Sequence, residues 1–182
     1  MAEEEQQQVE AARHEGKVSA TVRGATADQV WPLLADFCNV HRWIPGVSTC
    51  RLEGGVAGEP GCVRYCVGKG EPADGGDVPW AREKLTVIDH AGRKLRYVVF
   101  ENNIGWKNYE AALEVVEGEE GGEGCIIEWC FRMEPVAEGN GCEVVPFVTS
   151  ALEGMVKTME EFLAAAAAAG SDVQELVCTV VA

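Results

Sequence analysis

The chain has 182 residues, 47% of them apolar, and 15 Lys and Arg stand against 30 Asp and Glu for a formal charge of −15. That length and apolar content suit one domain with a substantial core. The acidic balance argues against a nucleic-acid partner and against an anionic membrane surface, both of which call for Lys and Arg.

The N-terminus, MAEEEQQQVEAARHEGK, is acidic and polar without an apolar h-region, so no signal peptide is expected. No stretch reaches the ~18 apolar residues of a membrane span, and the Ala164–Ala169 run is far too short, so no membrane insertion is expected. Eight cysteines stand at positions 38, 50, 62, 66, 125, 130, 142 and 178 with no CxxC pair. They read as reduced cytoplasmic thiols, several buried as small hydrophobes. His14, His41 and His90 are scattered and no Cys/His group has ligand spacing, so neither metal nor cofactor is expected.

Residues 1–16 read as a flexible acidic tail, 17–169 as one ligand-binding domain and 170–182 as a C-terminal tail. Lys17–Arg23 alternates, with Val18, Ala20 and Val22 on one face, and makes a first strand. Thr26-Ala-Asp-Gln29 is a capping box opening a helix that buries Val30, Trp31, Leu34 and Phe37. Pro32 lies past the first turn and should kink or restart that helix. A short second helix around Asn39–Trp43 stops at Ile44-Pro45-Gly46, and Val47–Glu53 is the next strand.

Residues 61–116 then contain four strands, three of which carry a misplaced polar residue. In CVRYCV, Arg64 shares its face with Cys62 and Cys66. In AREKLTV, Glu83 falls between Ala81, Leu85 and Val87 on the apolar face. In NYEAALEV, Tyr109 lies with Ala111, Leu113 and Val115. An isolated ion taken out of water costs several kcal/mol, so an inward Arg and Glu must meet each other or a ligand. The alternation therefore proposes a polar cluster of Arg64, Glu83 and Tyr109 inside an oily interior.

The loop GKGEPADGGDVPW, residues 68–80, is long and bend-prone, and Trp80 at its end suggests a lid over apolar material. Asn103-Ile-Gly-Trp106 is a further turn. After a Gly-Glu loop at 118–124, Cys125, Ile127, Trp129, Phe131 and Met133 face inward. Residues 135–143 form a turn. A long helix over 146–169 carries an apolar stripe through Phe147, Val148, Ala151, Leu152, Met155, Val156, Met159, Phe162 and Leu163, and Gly170 ends it. The fold class is α+β: a strongly curved antiparallel sheet wrapped around the long C-terminal helix, with two short helices after the first strand. Such a sheet and helix part at their ends, leaving an apolar cavity of typically ~300–1,000 Å³.

The order of elements resembles the helix-grip fold of birch-pollen-allergen-like proteins, START-type lipid carriers and polyketide cyclases. Within it, the chain is similar to the plant lachrymatory-factor synthase family over about Gly16 to Leu163. The stretches GKV, WPLLADFCNVHRWIPGVSTC, GCVRY, WAREKL, GWKNYEA and EWCFRM carry the likeness. The resemblance implies a seven-stranded sheet and catalytic roles for Arg64, Glu83 and Tyr109. Abscisic-acid receptors share the fold and an Arg, Glu and Tyr at corresponding positions. Their Ser-Gly-Leu-Pro-Ala gate is replaced here by GKGEPADGGDVPW, and their His-Arg-Leu latch by Gly105-Trp106-Lys107.

The synthase family rearranges an alkenyl sulfenic acid to a thial S-oxide without metal or redox cofactor. The resemblance thus implies Glu83 as proton relay and Arg64 and Tyr109 as donors to the oxygen. The expected ligand-binding wall is Trp80, Tyr97, Val99, Trp106, Trp129, Leu152 and Met155. The partner is a small hydrophobic or amphipathic metabolite, and the protein is expected to be a monomer or weak dimer. A non-catalytic carrier or sensor of a hydrophobic plant metabolite or hormone uses the same cavity. A buried ion pair that merely holds strand register accounts for the same residues.

Overall fold

Strands made of alternating apolar and polar residues pair into one antiparallel sheet, and the long apolar-striped helix covers its inner face. The computed structural model describes residues 14–70, 76–118, 124–135 and 143–171. In chain order the described elements are β1 (His14–Arg23), α1 (Ala27–Ala35), a 3₁₀ segment (Phe37–Arg42), β2 (Val47–Gly54), β3 (Val63–Gly68), β4 (Trp80–Asp89), β5 (Lys94–Asn102), β6 (Tyr109–Glu117), β7 (Gly124–Met133) and α2 (Val144–Ala168). Most of the expected tails fall outside the described residues. So do the middle of the 68–80 loop, most of the Gly-Glu loop and most of the turn before α2.

The seven strands lie in the order β1-β7-β6-β5-β4-β3-β2, every neighbour antiparallel. Hairpins account for β2 to β7, while β1 joins the far edge beside β7. The chain must therefore cross from one edge of the sheet to the other after β1, and α1 with the 3₁₀ segment makes that crossing. β1 starts three residues earlier than the alternation indicated, with His14 opposite Met133. A side chain at Gly16 would collide with the Phe131 ring, its Cβ lying 2.3 Å from Cζ, so the strand enters through a glycine.

The capping box forms as expected. Thr26 N donates to Gln29 Oε1 at 2.9 Å and Gln29 N to Thr26 Oγ1 at 3.3 Å. Pro32, however, does not divide α1, which runs through it to Ala35 with Val30, Trp31, Leu33 and Leu34 buried. The tertiary burial of that face outweighs the single backbone hydrogen bond that proline removes.

Two bulges interrupt the β4–β5 ladder, between Arg82 and Glu83 and between Leu85 and Val87. The second inserts Thr86, turning Val87 out to 43% exposure and bringing Ile88 against the core. Val87 therefore leaves the inner face where strict alternation put it. Bulges also recur in β2–β3 and bend the sheet around the helix.

On α2 the residues Val148, Ala151, Leu152, Met155, Val156, Met159 and Leu163 are buried, whereas Phe147 is 41% exposed and Phe162 is half-buried. Pro146 sits in the first turn, where no intrahelical donor is needed. At the other end Gly170, with φ +67°, permits paired bonds from Gly170 N to the Ala167 carbonyl and from Ser171 N to the Ala166 carbonyl. Gly154 faces the loop before β2, and a Cβ there would lie 2.8 Å from Pro45 Cδ.

Helix propensity favours alanine over glycine by about 1 kcal/mol, while forcing a methyl into a packed contact costs about 1–3 kcal/mol. The Pro45 ring has no rotamer with which to yield, so Gly154→Ala is expected to lower stability despite its better propensity. Urea unfolding checks the sign.

Candidate functional site

The β3–β4 register places Arg64 directly opposite Glu83 on the inner face of the sheet. Arg64 Nε and Nη2 donate to Glu83 Oε2, and Nη1 donates to the backbone carbonyl of Phe37. The guanidinium carbon lies 3.7 Å from the Phe37 ring centroid and 5.2 Å from that of Tyr97. Arg64 is only 5% exposed and is the one buried charged residue among those described. Burial disfavours its charge, but Glu83 together with Cys66, Cys50 and Tyr97 more than compensates and holds its pKa above the ordinary value.

Beside this pair lies a cavity of about 350 Å³. Glu83 and Arg64 form its polar wall together with Tyr109, while Trp80, Tyr97, Trp106 and Trp129 supply the aromatic surface. Trp106 stacks on Tyr109 with centroids 4.7 Å apart, and Phe147 meets Trp106 edge-on at 5.2 Å. Exposed Lys69 and Pro79 border the cavity, where it reaches solvent. Tyr97 and Trp129 lie beside the Tyr109 hydroxyl. Yet Tyr109 Oη, Trp106 Nε1 and Trp129 Nε1 are buried without a hydrogen-bond partner among the described residues. These three atoms lie buried in residues of the cavity wall, where a polar group buried without a partner is costly.

Residues 13–169 match the family described as polyketide cyclase / dehydrase and lipid transport. The chain belongs to this family. Among solved structures, the protein XoxI from Bacillus cereus is 22% identical with a TM-score of 0.63, the match covering 81% of this chain and 93% of that one. An uncharacterized protein from Bacillus thuringiensis is 22% identical with a TM-score of 0.62, covering 81% and 98% respectively. At these identities the likeness speaks for the helix-grip fold alone. Family and cavity together support a protein that binds hydrophobic small molecules. Among the described residues no helix is long and apolar enough to cross a membrane.

Of the residues singled out in the sequence, Arg64, Glu83, Tyr109, Trp80, Tyr97, Trp106 and Trp129 meet at this cavity. The other three are buried elsewhere: Met155 borders a small space of about 20 Å³ behind it, Val99 flanks an outer recess, and Leu152 packs in the core between helix and sheet. Cys66, Ile44, Ile104 and Phe147 join the lining. Cys66 had a usable signal, since it shares the inward face with Arg64.

Two asparagines position the tryptophans. Asn102 Oδ1 accepts from Ile104 N and Trp106 N at 3.1 Å each, and its Nδ2 donates to the Trp106 carbonyl at 2.8 Å. Asn103 Oδ1 accepts from Trp80 N at 2.7 Å, and its Nδ2 donates to the Val78 carbonyl at 3.0 Å. The turn after β5 thus sets both indoles around the cavity. The turn chemistry of Asn-Gly-rich sequence was the only available sign of it.

Removing one member of a buried ion pair strands the other, so Arg64→Met is expected to lower stability by about 3–5 kcal/mol. Adding Glu83→Leu should recover most of that loss, which paired denaturant titrations measure. Burial also raises the pKa of both Tyr97 and Tyr109. A raised folded value means that neutral tyrosine is favoured in the fold, so the contribution is complete below the unfolded tyrosine pKa of about 10 and is lost as pH rises past it. Tyr97→Phe and Tyr109→Phe should each flatten the fall in stability above that pH, as followed by thermal unfolding across the alkaline range.

Proposed function

We propose that the protein is an isomerase of the lachrymatory-factor-synthase type, acting on a small, largely apolar sulfenic-acid-like metabolite held between sheet and α2. The observation that carries this reading is the split environment of Glu83. Its Oε2 is held by Arg64, while Oε1 has no protein partner among the described residues and belongs to a side chain on the cavity wall.

For an alkenyl sulfenic acid, Glu83 accepts the hydroxyl proton and returns it to the alkenyl carbon remote from sulfur, as the C=C bond gives way to C=S. The product is the thial S-oxide, an isomer of the substrate, with no electrons exchanged. As the hydroxyl proton leaves, charge gathers on the substrate oxygen, and Tyr109 Oη with the Trp106 and Trp129 N–H groups can stabilise it. The raised pKa of Tyr109 keeps it a donor at neutral pH. Arg64 holds the carboxylate in position, and the aromatic wall limits water. Free cysteines suit a reducing compartment such as the cytoplasm.

A carrier reading draws support from one observation: Nε, Nη1 and Nη2 of Arg64 are all engaged by Glu83 and the Phe37 carbonyl, so the guanidinium serves the fold. On that reading the same donors bind an apolar metabolite unchanged. Glu83→Gln separates the two. With an alkenyl sulfenic acid generated in situ, the isomerase reading expects turnover to fall about 10²–10⁴-fold while ligand is still bound. Wild-type protein that returns the compound unreacted, or a Glu83→Gln variant with full turnover, overturns it.

A further inference from the structure

Four buried cysteines, Cys38, Cys50, Cys62 and Cys66, gather where β2 and β3 meet the 3₁₀ segment, and each carries a free thiol. Cys50 and Cys66 are direct partners in the antiparallel β2–β3 ladder. Residues so opposed have Cα atoms about 4.5–5.5 Å apart. A disulfide takes Cα separations of about 4.4–6.8 Å, so the backbone spacing of this register lies within its range. Both residues are 8% exposed, and Cys66 lines the cavity, which connects the pair with small solutes.

We infer that Cys50 and Cys66 form a reversible dithiol–disulfide site beside the cavity that Cys66 lines, closed by hydrogen peroxide. This holds whether the cavity serves catalysis or carriage. The Cys66 thiol hydrogen-bonds to Cys50, and Arg64 adds its positive charge, so the Cys50 thiol is held below its ordinary pKa while that of Cys66 is pushed up. One sulfur of this hydrogen-bonded pair attacks. Its thiolate takes one peroxide oxygen, the O–O bond breaks, and the departing hydroxide collects a proton to leave as water. The sulfur of its partner, giving up its proton, next displaces hydroxide from that sulfenic acid, which forms the S–S bond and a second water. The two thiols lose two electrons, and the peroxide gains them.

The neighbouring pair, Cys38 and Cys62, is built differently. Cys62 is fully buried, and burial together with Cys62 pushes the Cys38 thiol up to about 12. That pair should stay reduced while Cys50 and Cys66 react.

Trypsin separates the four cysteines onto different peptides, because Arg42, Arg51, Arg64 and Lys69 fall between or just beyond them. The full chain is treated with graded hydrogen peroxide, an aliquot is weighed intact, and the rest is denatured in acid, blocked with N-ethylmaleimide as it is brought to neutral pH, and digested without reductant. The expected result is residues 43–51 joined to residues 65–69, an intact mass lower by two hydrogens, and complete reversal by dithiothreitol. Cys50→Ser and Cys66→Ser should each abolish the link. Wild-type mapping decides the matter even if a variant fails to fold. A Cys38–Cys62 link in its place, sulfinic or sulfonic acid on Cys50 without a bridge, or four unchanged cysteines would each overturn the inference.

Discussion

Arg64 and Glu83 face each other across β3 and β4 with almost no access to bulk water, and much of the molecule is arranged around that meeting. Two of the three donor nitrogens of Arg64 go to Glu83. The third goes to the Phe37 carbonyl, at the junction between α1 and the 3₁₀ segment. One side chain therefore joins the strand register of the sheet to the helical crossing that spans it. The Phe37 and Tyr97 rings, close to the guanidinium, replace part of the hydration it has lost. A buried pair of this kind gives little net stability against an apolar substitute, because desolvation offsets much of the Coulomb attraction. Its value lies in where it puts a carboxylate.

The cavity follows from geometry on a larger scale. Bulges in β2–β3 and β4–β5 bend the sheet, and α2 approaches closely at Gly154, where only a hydrogen fits against Pro45. Near the start of α2, Phe147 leans on Trp106, and the space behind them remains open. Rigid aromatic rings line it, and the polar atoms of Trp106, Tyr109 and Trp129 have no partner among the described residues. An apolar guest carrying one acceptor oxygen matches that surface, since its body replaces water at the rings while its oxygen satisfies the open donors. The Arg64–Glu83 pair is already neutral as a unit, so the cavity has no spare buried charge for a strongly ionic ligand.

The same patch of sheet also gathers the thiols. Arg64 and Cys66 share the inward face of β3, and Cys62 just precedes it. Cys50 across the ladder is held below its ordinary pKa first by the Cys66 hydrogen bond and then by Arg64, against burial and Glu83.

Period-two alternation was enough to turn Arg64, Glu83, Tyr109 and Trp129 inward, because a strand's side chains must alternate wherever one face is buried. The capping box at Thr26, the stop at Gly170 and the inward residues of β7 were legible for similarly local reasons. Local pattern could not show Thr86 bulging out of β4, which sends Val87 to solvent, since a bulge depends on the partner strand. Nor could it show α1 continuing through Pro32, where core packing overrides a local penalty. The Phe37 carbonyl on Arg64, Asn102 and Asn103 behind the two tryptophans, and Cys50 opposite Cys66 are likewise products of the assembled sheet. By itself the sequence determined which side chains face inward wherever a strand runs without a bulge, because that depends on neighbours one or two residues away. Which of them touch, and what each leaves unpaired, was decided only by the tertiary structure, because it depends on register and curvature set by residues far along the chain.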